Sequence, residues 1–248
     1  MQRSKKEIIF GRHPVIEALR TGTTIEKILI QKGSGGEHIK EIYEAADISG
    51  TPVQVVPSEK IRQYRHQNTQ GVLAFLSPVE YQNVSNIVFD LFNQGKDPLI
   101  LVLDGITDVR NFGAITRTAE CMGVNAVLVP GKGSALLTSD AVKTSAGALF
   151  QIPICRTMDL AEQIQELKMS GLRVVACTEK GNEFIKDADY NAPLVLIMGS
   201  EEKGISKELL KLADHQVKIP LIGSIASLNV SVATGMLLYE VSRQRTGS

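Results

Sequence analysis

The side chains most suited to chemistry lie at the start of a predicted C-terminal helix, within residues 219–245. Ser227 and Asn229 form a polar pair there, between a strand end and a broadly apolar helix. The neighbouring residues are small, so another backbone segment or a ligand can approach closely. A C-terminal core helix explains the apolar residues but not the polar pair. The small residues are Gly223, Ser224, Ala226, Ser227, Ser231, Ala233 and Gly235.

Two further polar loops follow predicted strands. One contains Asn111 and Arg117, six residues apart, with Gly113 between them at a predicted helix start. The other, MGSEEKGIS over residues 198–206, contains Glu201. Ligands of a parallel sheet bind beyond the carboxyl ends of its strands, so these loops are candidates for a binding site. Taken alone, Asn111 and Arg117 are equally consistent with a surface helix.

Neither glycine-rich loop fits a nucleotide-binding motif. Gly199 and Gly204 have the spacing of a phosphate loop, and Ser206 stands where that loop has its magnesium-binding hydroxyl. Ile205 occupies the lysine position, however, and two adjacent glutamates would repel phosphates. The GKGSAL segment at Gly131 lacks the third glycine and the acidic partner of a dinucleotide-binding fingerprint. We therefore exclude an NTPase and a dinucleotide-binding enzyme.

The composition, with 43% hydrophobic and 22% charged residues, is that of a soluble globular protein. No apolar run reaches the roughly 18 residues that a membrane span needs, and the first residues lack the apolar core of a signal peptide. We therefore expect a cytoplasmic protein with no membrane association. The cysteines and histidines are scattered and form no CxxC pair, so neither a disulfide framework nor a metal site is expected.

The formal net charge is zero, which argues against a simple electrostatic nucleic-acid binder. Any affinity for RNA must come from local clusters. A basic, amide-rich run around Tyr64 is the best candidate for an RNA-contacting surface, although a solvated helix and turn has the same composition. The run contains Lys60, Arg62, Arg65, His66, Gln67, Asn68 and Gln70.

The order of apolar runs and helical patterns predicts an α/β fold in two parts. Short alternating elements in residues 1–78 predict a small α/β domain, and residues 79–97 are expected to be a linker that includes a short amphipathic helix. Residues 98–248 predict a doubly wound parallel sheet. Its predicted strands are 99–104, 125–130, 152–156, 173–178, 193–199 and 216–220, and its predicted helices are 114–122, 139–150, 160–169, 206–213 and the C-terminal one.

Together these segments resemble the SpoU or TrmH family of the SPOUT class of RNA methyltransferases. The matching segments are NFGAITRTA (111–119), LIMGSEEKGIS (196–206) and IPLIGSIASLNVSVATG (219–235), in the order and spacing of the family. IIFGRHPVIEAL (8–19) and QGVLAF (70–75) resemble the ribosomal-protein-like N-terminal substrate domain of that family. The resemblance is strongest to bacterial enzymes that methylate a guanosine 2′-hydroxyl of 23S rRNA.

The resemblance implies a deep trefoil knot in the C-terminal domain, one of the rare exceptions to unknotted connections. It also implies a homodimer formed through helices that include the last one. The implied cofactor is S-adenosylmethionine, bound in a bent form. By position, the backbone around Gly199, Ile219 and Leu228 would hold it, with Thr178 as a further candidate.

The resemblance assigns the central catalytic role to Arg117, supported by Asn111, Glu201, Ser227 and Asn229. In this family the arginine is often described as a general base. A guanidinium has a pKa above about 12 and stays charged, so we prefer a cationic clamp that holds an RNA phosphate and stabilises the developing alkoxide.

Two alternatives stay open at this point. A tRNA or a different rRNA site would keep the chemistry and change the substrate. A catalytically silent RNA-binding or ribosome-assembly protein would keep only the fold. The presence of Asn111, Arg117, Glu201 and Asn229 argues against a silent protein, because an inactive relative would be expected to lose at least one of them.

Overall fold

A computed structural model describes residues 8–225 and 227–247 of the chain. It divides into two compact units, the first ending at Glu80 and the second beginning at Tyr81. Each unit encloses its own hydrophobic core, so each is an α/β domain in its own right.

The N-terminal unit is a four-stranded sheet with two long helices and one short helix. The strand order is β1-β4-β2-β3, in which β4 runs antiparallel to both neighbours and β2 and β3 are parallel. Apolar residues four apart, such as Ile42 and Ala46, face the sheet and bury one side of each long helix. The elements are β1 (Ile8–Phe10), α1 (Arg12–Arg20), β2 (Ile25–Gln31), α2 (Glu37–Ile48), β3 (Val53–Val56), α3 (Ser58–Arg62) and β4 (Val72–Leu76).

The C-terminal unit confirms the predicted parallel sheet. Eight strands pair in the order β10-β12-β9-β11-β6-β7-β8-β5, and every pairing is parallel. The central strands are buried on both faces, as their continuous apolar sequences predict. The strands are β5 (Tyr81–Gln82), β6 (Leu99–Asp104), β7 (Ala126–Pro130), β8 (Ile154–Thr157), β9 (Arg173–Cys177), β10 (Glu183–Phe184), β11 (Leu194–Gly199) and β12 (His215–Lys218).

The helices of this unit cover the sheet. They are α4 (Val84–Asn93), α5 (Val109–Cys121), α6 (Ser139–Thr144), α7 (Leu160–Met169), α8 (Lys207–Leu212) and α9 (Val230–Thr246). The predicted helix over 139–150 is shorter than expected, because Ala146 and Gly147 adopt φ angles of 50° and 88°. A 3₁₀ turn over Ala148–Phe150 follows this break.

Residues 79–97, expected to be a linker, contribute regular structure to the C-terminal unit. The strand β5 pairs with β8, and Val84 and Val88 on one face of α4 are buried in the core. The Asn83 side chain caps α4 by accepting a hydrogen bond from the backbone N–H of Asn86 at 3.0 Å. The strand β5 therefore belongs to the sheet, and α4 packs against the core of this unit through its two buried valines.

None of the helices in the described part of the chain combines the length and the apolar character that crossing a membrane requires. The trefoil knot stays a prediction.

Candidate functional site

The candidate site lies where three neighbouring parallel strands end. Gly199 at the end of β11 is paired with Asp104 at the end of β6, and Met198 is paired with Cys177 at the end of β9. The loops after these strands therefore meet at one edge of the sheet, which is the usual ligand site of this architecture.

A hydrogen-bond network joins three of the predicted catalytic residues. One carboxylate oxygen of Glu201, Oε1, accepts bonds from Asn111 Nδ2 at 3.3 Å and from Asn229 Nδ2 at 2.5 Å. Asn229 Nδ2 also donates to Asn111 Oδ1 at 3.0 Å. The same Glu201 oxygen accepts the backbone N–H of Val230 at 3.1 Å. Residues 111, 201 and 229, far apart in sequence, thus form one polar cluster.

The starts of helices α5 and α9 fix this cluster in place. Asp108 caps α5, with Oδ1 accepting the backbone N–H groups of Arg110 at 2.8 Å and Asn111 at 2.9 Å. Asn229 caps α9, with Oδ1 accepting the Ser231 N–H at 3.0 Å. Asp108 and Asn229 are residue types that commonly cap helix N-termini. Local sequence preference therefore places Asn111 and Asn229 at the two helix starts. The negative charge of Glu201 also complements the positive end of the α9 dipole.

The loop after β11 folds back tightly on the strand end. The backbone N–H of Gly204 donates to the Ser200 carbonyl at 2.8 Å, and Gly204 has a φ of 65° that favours glycine. A Cβ atom added at Gly199 would lie 2.2 Å from the Gly204 carbonyl carbon and 2.3 Å from the Ile205 nitrogen. Glycine at position 199 is therefore required for this close approach.

A cavity of about 390 Å³ opens beside this loop. All four residues predicted to bind a cofactor line it: Thr178, Gly199, Ile219 and Leu228. Ser227 and Glu201, predicted to be catalytic, line it too. Its volume is in the range of about 300–1,000 Å³ that is common for small-molecule sites.

A second close approach involves the loop after β9, whose residues 178–180 line this cavity. A Cβ added at Gly181 would lie 2.5 Å from the Val217 carbonyl carbon, and the Thr178 N–H donates to the Val217 carbonyl at 2.9 Å. The loop after β9 therefore lies directly against the end of β12.

Arg117 belongs neither to the hydrogen-bond network nor to the residues that line the cavity. It lies on α5, two turns past Asn111, and its side chain is exposed. Its side chain makes no hydrogen bond or ion pair with another residue in ranges 8–225 and 227–247. Its guanidinium is thus available to an external anion.

Burial governs the ionisation of a thiol in the cavity wall. Burial, with a smaller contribution from the nearby Glu179 carboxylate, raises the pKa of Cys177 to about 12. Cys177 therefore stays protonated at neutral pH and is unsuited to a nucleophilic role.

Sequence reasoning missed three residues that build the site. Asp104 Oδ2 accepts the backbone N–H of Ser206 at 2.7 Å and so anchors the 200–206 loop to the end of β6. Asp108 caps α5, and Gly181 allows the loop crossing described above. An aspartate at the end of an apolar strand, and one just before a helix, were signals that could have identified Asp104 and Asp108.

Within the described residues, no cluster of three or more His, Cys, Asp or Glu side chains has the geometry of a metal site.

Comparisons with known proteins cover both units. Residues 98–239 match the SpoU rRNA methylase family, and residues 8–82 match the RNA 2′-O ribose methyltransferase substrate-binding family. A putative TrmH family tRNA/rRNA methyltransferase of Staphylococcus saprophyticus is 38% identical over 96% of each chain.

Two solved structures are also similar. An AdoMet-bound rRNA methyltransferase from Sinorhizobium meliloti is 27% identical, with a TM-score of 0.59 over 96% of this chain and 87% of that one. An A. aeolicus TrmH/SpoU tRNA modifying enzyme is 31% identical, with a TM-score of 0.55 over 61% of this chain and 76% of that one. On its matched domains and its close relatives, this chain belongs to the SpoU rRNA methylase family of RNA methyltransferases, also called the TrmH family.

Proposed function

We propose that this protein transfers the methyl group of S-adenosylmethionine to a ribose 2′-hydroxyl of RNA, at a guanosine of large-subunit (23S) rRNA. The observation that carries the proposal is that the cavity and the hydrogen-bond network adjoin at the carboxyl ends of the parallel strands. The cavity lined by Thr178, Gly199, Ile219 and Leu228 adjoins the Asn111–Glu201–Asn229 network through Glu201, which belongs to both.

The cavity residues fit S-adenosylmethionine. Backbone at Gly199 and Ile219 offers hydrogen-bonding groups close to an apolar wall at Leu228, a combination suited to an adenine ring and its polar edge. The absence of a side chain at Gly199 lets the backbone of Gly204 and Ile205 pack against the strand end, which shapes the cavity. When bound, the cofactor would supply an electrophilic methyl group. The test is calorimetric titration of S-adenosylmethionine into the full chain, with Leu228→Arg expected to abolish binding.

The residues of the network position and stabilise rather than form bonds. Methyl transfer to a hydroxyl needs alignment of the attacking oxygen and removal of its proton. Asn111 and Asn229, fixed by Glu201, would orient the ribose, and Ser227 would contribute a hydroxyl at the cavity edge. Arg117 would hold an RNA phosphate and stabilise negative charge developing on the 2′-oxygen. As a permanently charged group it is not a general base.

The extent of the structural similarity favours rRNA over tRNA. The rRNA methyltransferase of S. meliloti matches 96% of this chain, whereas the tRNA modifying enzyme of A. aeolicus matches only 61% of it. The part of this chain that the tRNA enzyme does not match is thus as large as the N-terminal unit. To test the substrate, we would incubate the protein with labelled S-adenosylmethionine and separate pools of large-subunit rRNA, small-subunit rRNA and tRNA. Label confined to tRNA would overturn the rRNA assignment.

The exposed apolar face of α9 supports a homodimer. Val232, Met236 and Tyr239 lie on one stripe of the helix with 51%, 42% and 62% of their surface exposed. Ile222 and Ile225 in the preceding loop are exposed as well. An apolar patch of this kind is typical of a protein interface. Sedimentation should show a dimer that Met236→Glu converts to a monomer; a monomeric wild type would exclude this interface.

A further inference from the structure

The loops at one end of the N-terminal sheet are strongly basic. Because β1, β2 and β3 run in the same direction and β4 runs against them, residues 11–13, 32–36 and 57–71 all lie at that end. We call this end of the sheet the basic end. These segments, which include the first residues of α1 and all of α3, contain the carboxylate Glu59 and five cationic side chains, Arg12, Lys32, Lys60, Arg62 and Arg65. A second carboxylate, Glu37, follows directly as the first residue of α2.

The described segments at the opposite end of the same sheet lack this charge. Residues 21–24, 49–52 and 77–80 contain no lysine or arginine and one carboxylate, Glu80. Arg20, which directly precedes the 21–24 segment at the end of α1, is ion-paired with Glu41. Five of the eight lysines and arginines in residues 8–80 therefore lie at the basic end, and the other three are Arg20, Lys27 and Lys40.

The cations of the basic end are free to meet an external anion. Lys32, Arg62 and Arg65 are exposed, and none forms an ion pair with a residue that the structure describes. Solvent ions therefore gather around these charges. An RNA strand that displaced those ions would gain the free energy of counterion release.

The loops that carry these cations are held to one another. Arg12 Nη1 donates to the Gly35 carbonyl at 3.0 Å, and its Nε donates to the Gln70 carbonyl at 3.2 Å. The Lys32 N–H donates to the Val56 carbonyl at 2.8 Å. Arg12 therefore fixes the geometry of the basic end, while the other four cations present charge to the solvent.

We infer that the basic end is the surface on which this protein grips the phosphate backbone of its substrate RNA. Lys32, Arg62 and Arg65 make the contacts, and Arg12 acts as a positioning residue. This inference rests on the proposed function, since it names the surface that holds the RNA whose ribose is methylated. Open space around Gly33 and Gly35, where an added Cβ would meet nothing within 4 Å, lets a phosphate backbone approach closely.

The test compares two triple variants of the full chain that lose the same charge. One is Lys32→Ala/Arg62→Ala/Arg65→Ala. The control is Arg20→Ala/Lys96→Ala/Lys211→Ala, which removes three exposed cations from elsewhere. Binding to an in vitro transcript of large-subunit rRNA is measured across a range of salt concentrations. S-adenosylmethionine binding and circular dichroism verify that both variants are folded.

We expect the basic-end variant to bind the transcript at least about tenfold more weakly, with a salt dependence reduced by about 2 in slope, since each single-stranded phosphate contact contributes about 0.7. The control should retain wild-type affinity. Equal affinities of the two variants for the transcript would overturn the inference. It would also be overturned if the basic-end variant lost binding to another class of partner while its affinity for RNA stayed unchanged. Failure of the proposed function is distinct: the wild type would then bind RNA without methylating any pool.

Discussion

Replacing Glu201 by alanine tests the polar network directly. The substitution removes the oxygen that accepts bonds from Asn111 Nδ2, Asn229 Nδ2 and the Val230 N–H at 3.3, 2.5 and 3.1 Å. Hydrogen bonds to a charged group contribute about 1.5–3 kcal/mol each, but this carboxylate is exposed and water competes for its partners. We therefore take about 0.7 kcal/mol for each bond, and expect a loss of about 2 kcal/mol in the free energy of unfolding.

The neighbouring Glu202 supplies a matched control. It carries the same charge on the same loop, and it makes no hydrogen bond or ion pair with a residue described in the structure. Glu202→Ala should change the unfolding free energy by no more than about 0.5 kcal/mol. Glu201→Gln keeps one acceptor oxygen without the charge. Its loss of unfolding free energy should therefore lie between those of Glu201→Ala and Glu202→Ala.

Urea denaturation measures the stability, and amide hydrogen exchange reports on the start of α9. In Glu201→Ala the N–H of Val230 loses its acceptor, so its exchange should accelerate by about 30-fold if the local loss is about 2 kcal/mol. Methyl transfer should fall as well, because Asn111 and Asn229 lose their common anchor. Wild-type stability and unchanged exchange at Val230 in this variant would refute the network, as would an equal loss in Glu202→Ala.

Three further predictions follow from the site. Gly199→Ala should lower S-adenosylmethionine affinity by tenfold or more and destabilise the fold by about 1–3 kcal/mol, because its Cβ would meet backbone atoms at 2.2 Å. Gly223→Ala is the control in the calorimetric titration, because a Cβ at position 223 would meet nothing within 4 Å. Arg117→Ala should abolish methyl transfer while leaving cofactor affinity nearly intact, and a collapse of that affinity would mark Arg117 as structural. Because burial raises the pKa of Cys177 to about 12, iodoacetamide should modify exposed Cys121 first at pH 8, and Cys177 should gain reactivity only as the pH rises toward its pKa. Mass spectrometry showing rapid labelling of Cys177 at pH 8 would contradict its burial.

The sequence predicts the strands of the C-terminal sheet well, because parallel strands buried on both faces are continuous apolar runs. The residues 99–104 and 160–169 form the strand and helix expected of them. Short edge strands such as Glu183–Phe184 were missed, since two residues carry no periodic signal. Residues 79–97 were expected to be a linker that includes a short amphipathic helix. That helix is α4, and the burial of its Val84 and Val88 depends on the sheet they pack against, which no local pattern indicates.

The site could be predicted only in part. Residue types and motif resemblance indicate Asn111, Glu201 and Asn229, but not that one carboxylate oxygen joins all three. The contact depends on loops separated by 28 and 90 residues, and no local pattern encodes such a pairing. Similarly, the sequence indicates a basic run over residues 60–70, whereas its convergence with Arg12 and Lys32 at one end of a sheet follows only from the strand directions.

The most direct test of the account identifies the nucleoside that receives the methyl group. Large-subunit rRNA is incubated with the protein and labelled S-adenosylmethionine, digested to nucleosides and separated by liquid chromatography with mass detection. We predict label in 2′-O-methylguanosine, absent from the Arg117→Ala reaction. Label in a base-methylated nucleoside, or no label in any RNA pool by a protein that binds the cofactor, would contradict the proposal that the Asn111–Glu201–Asn229 edge of the cavity positions a ribose 2′-hydroxyl for methyl transfer.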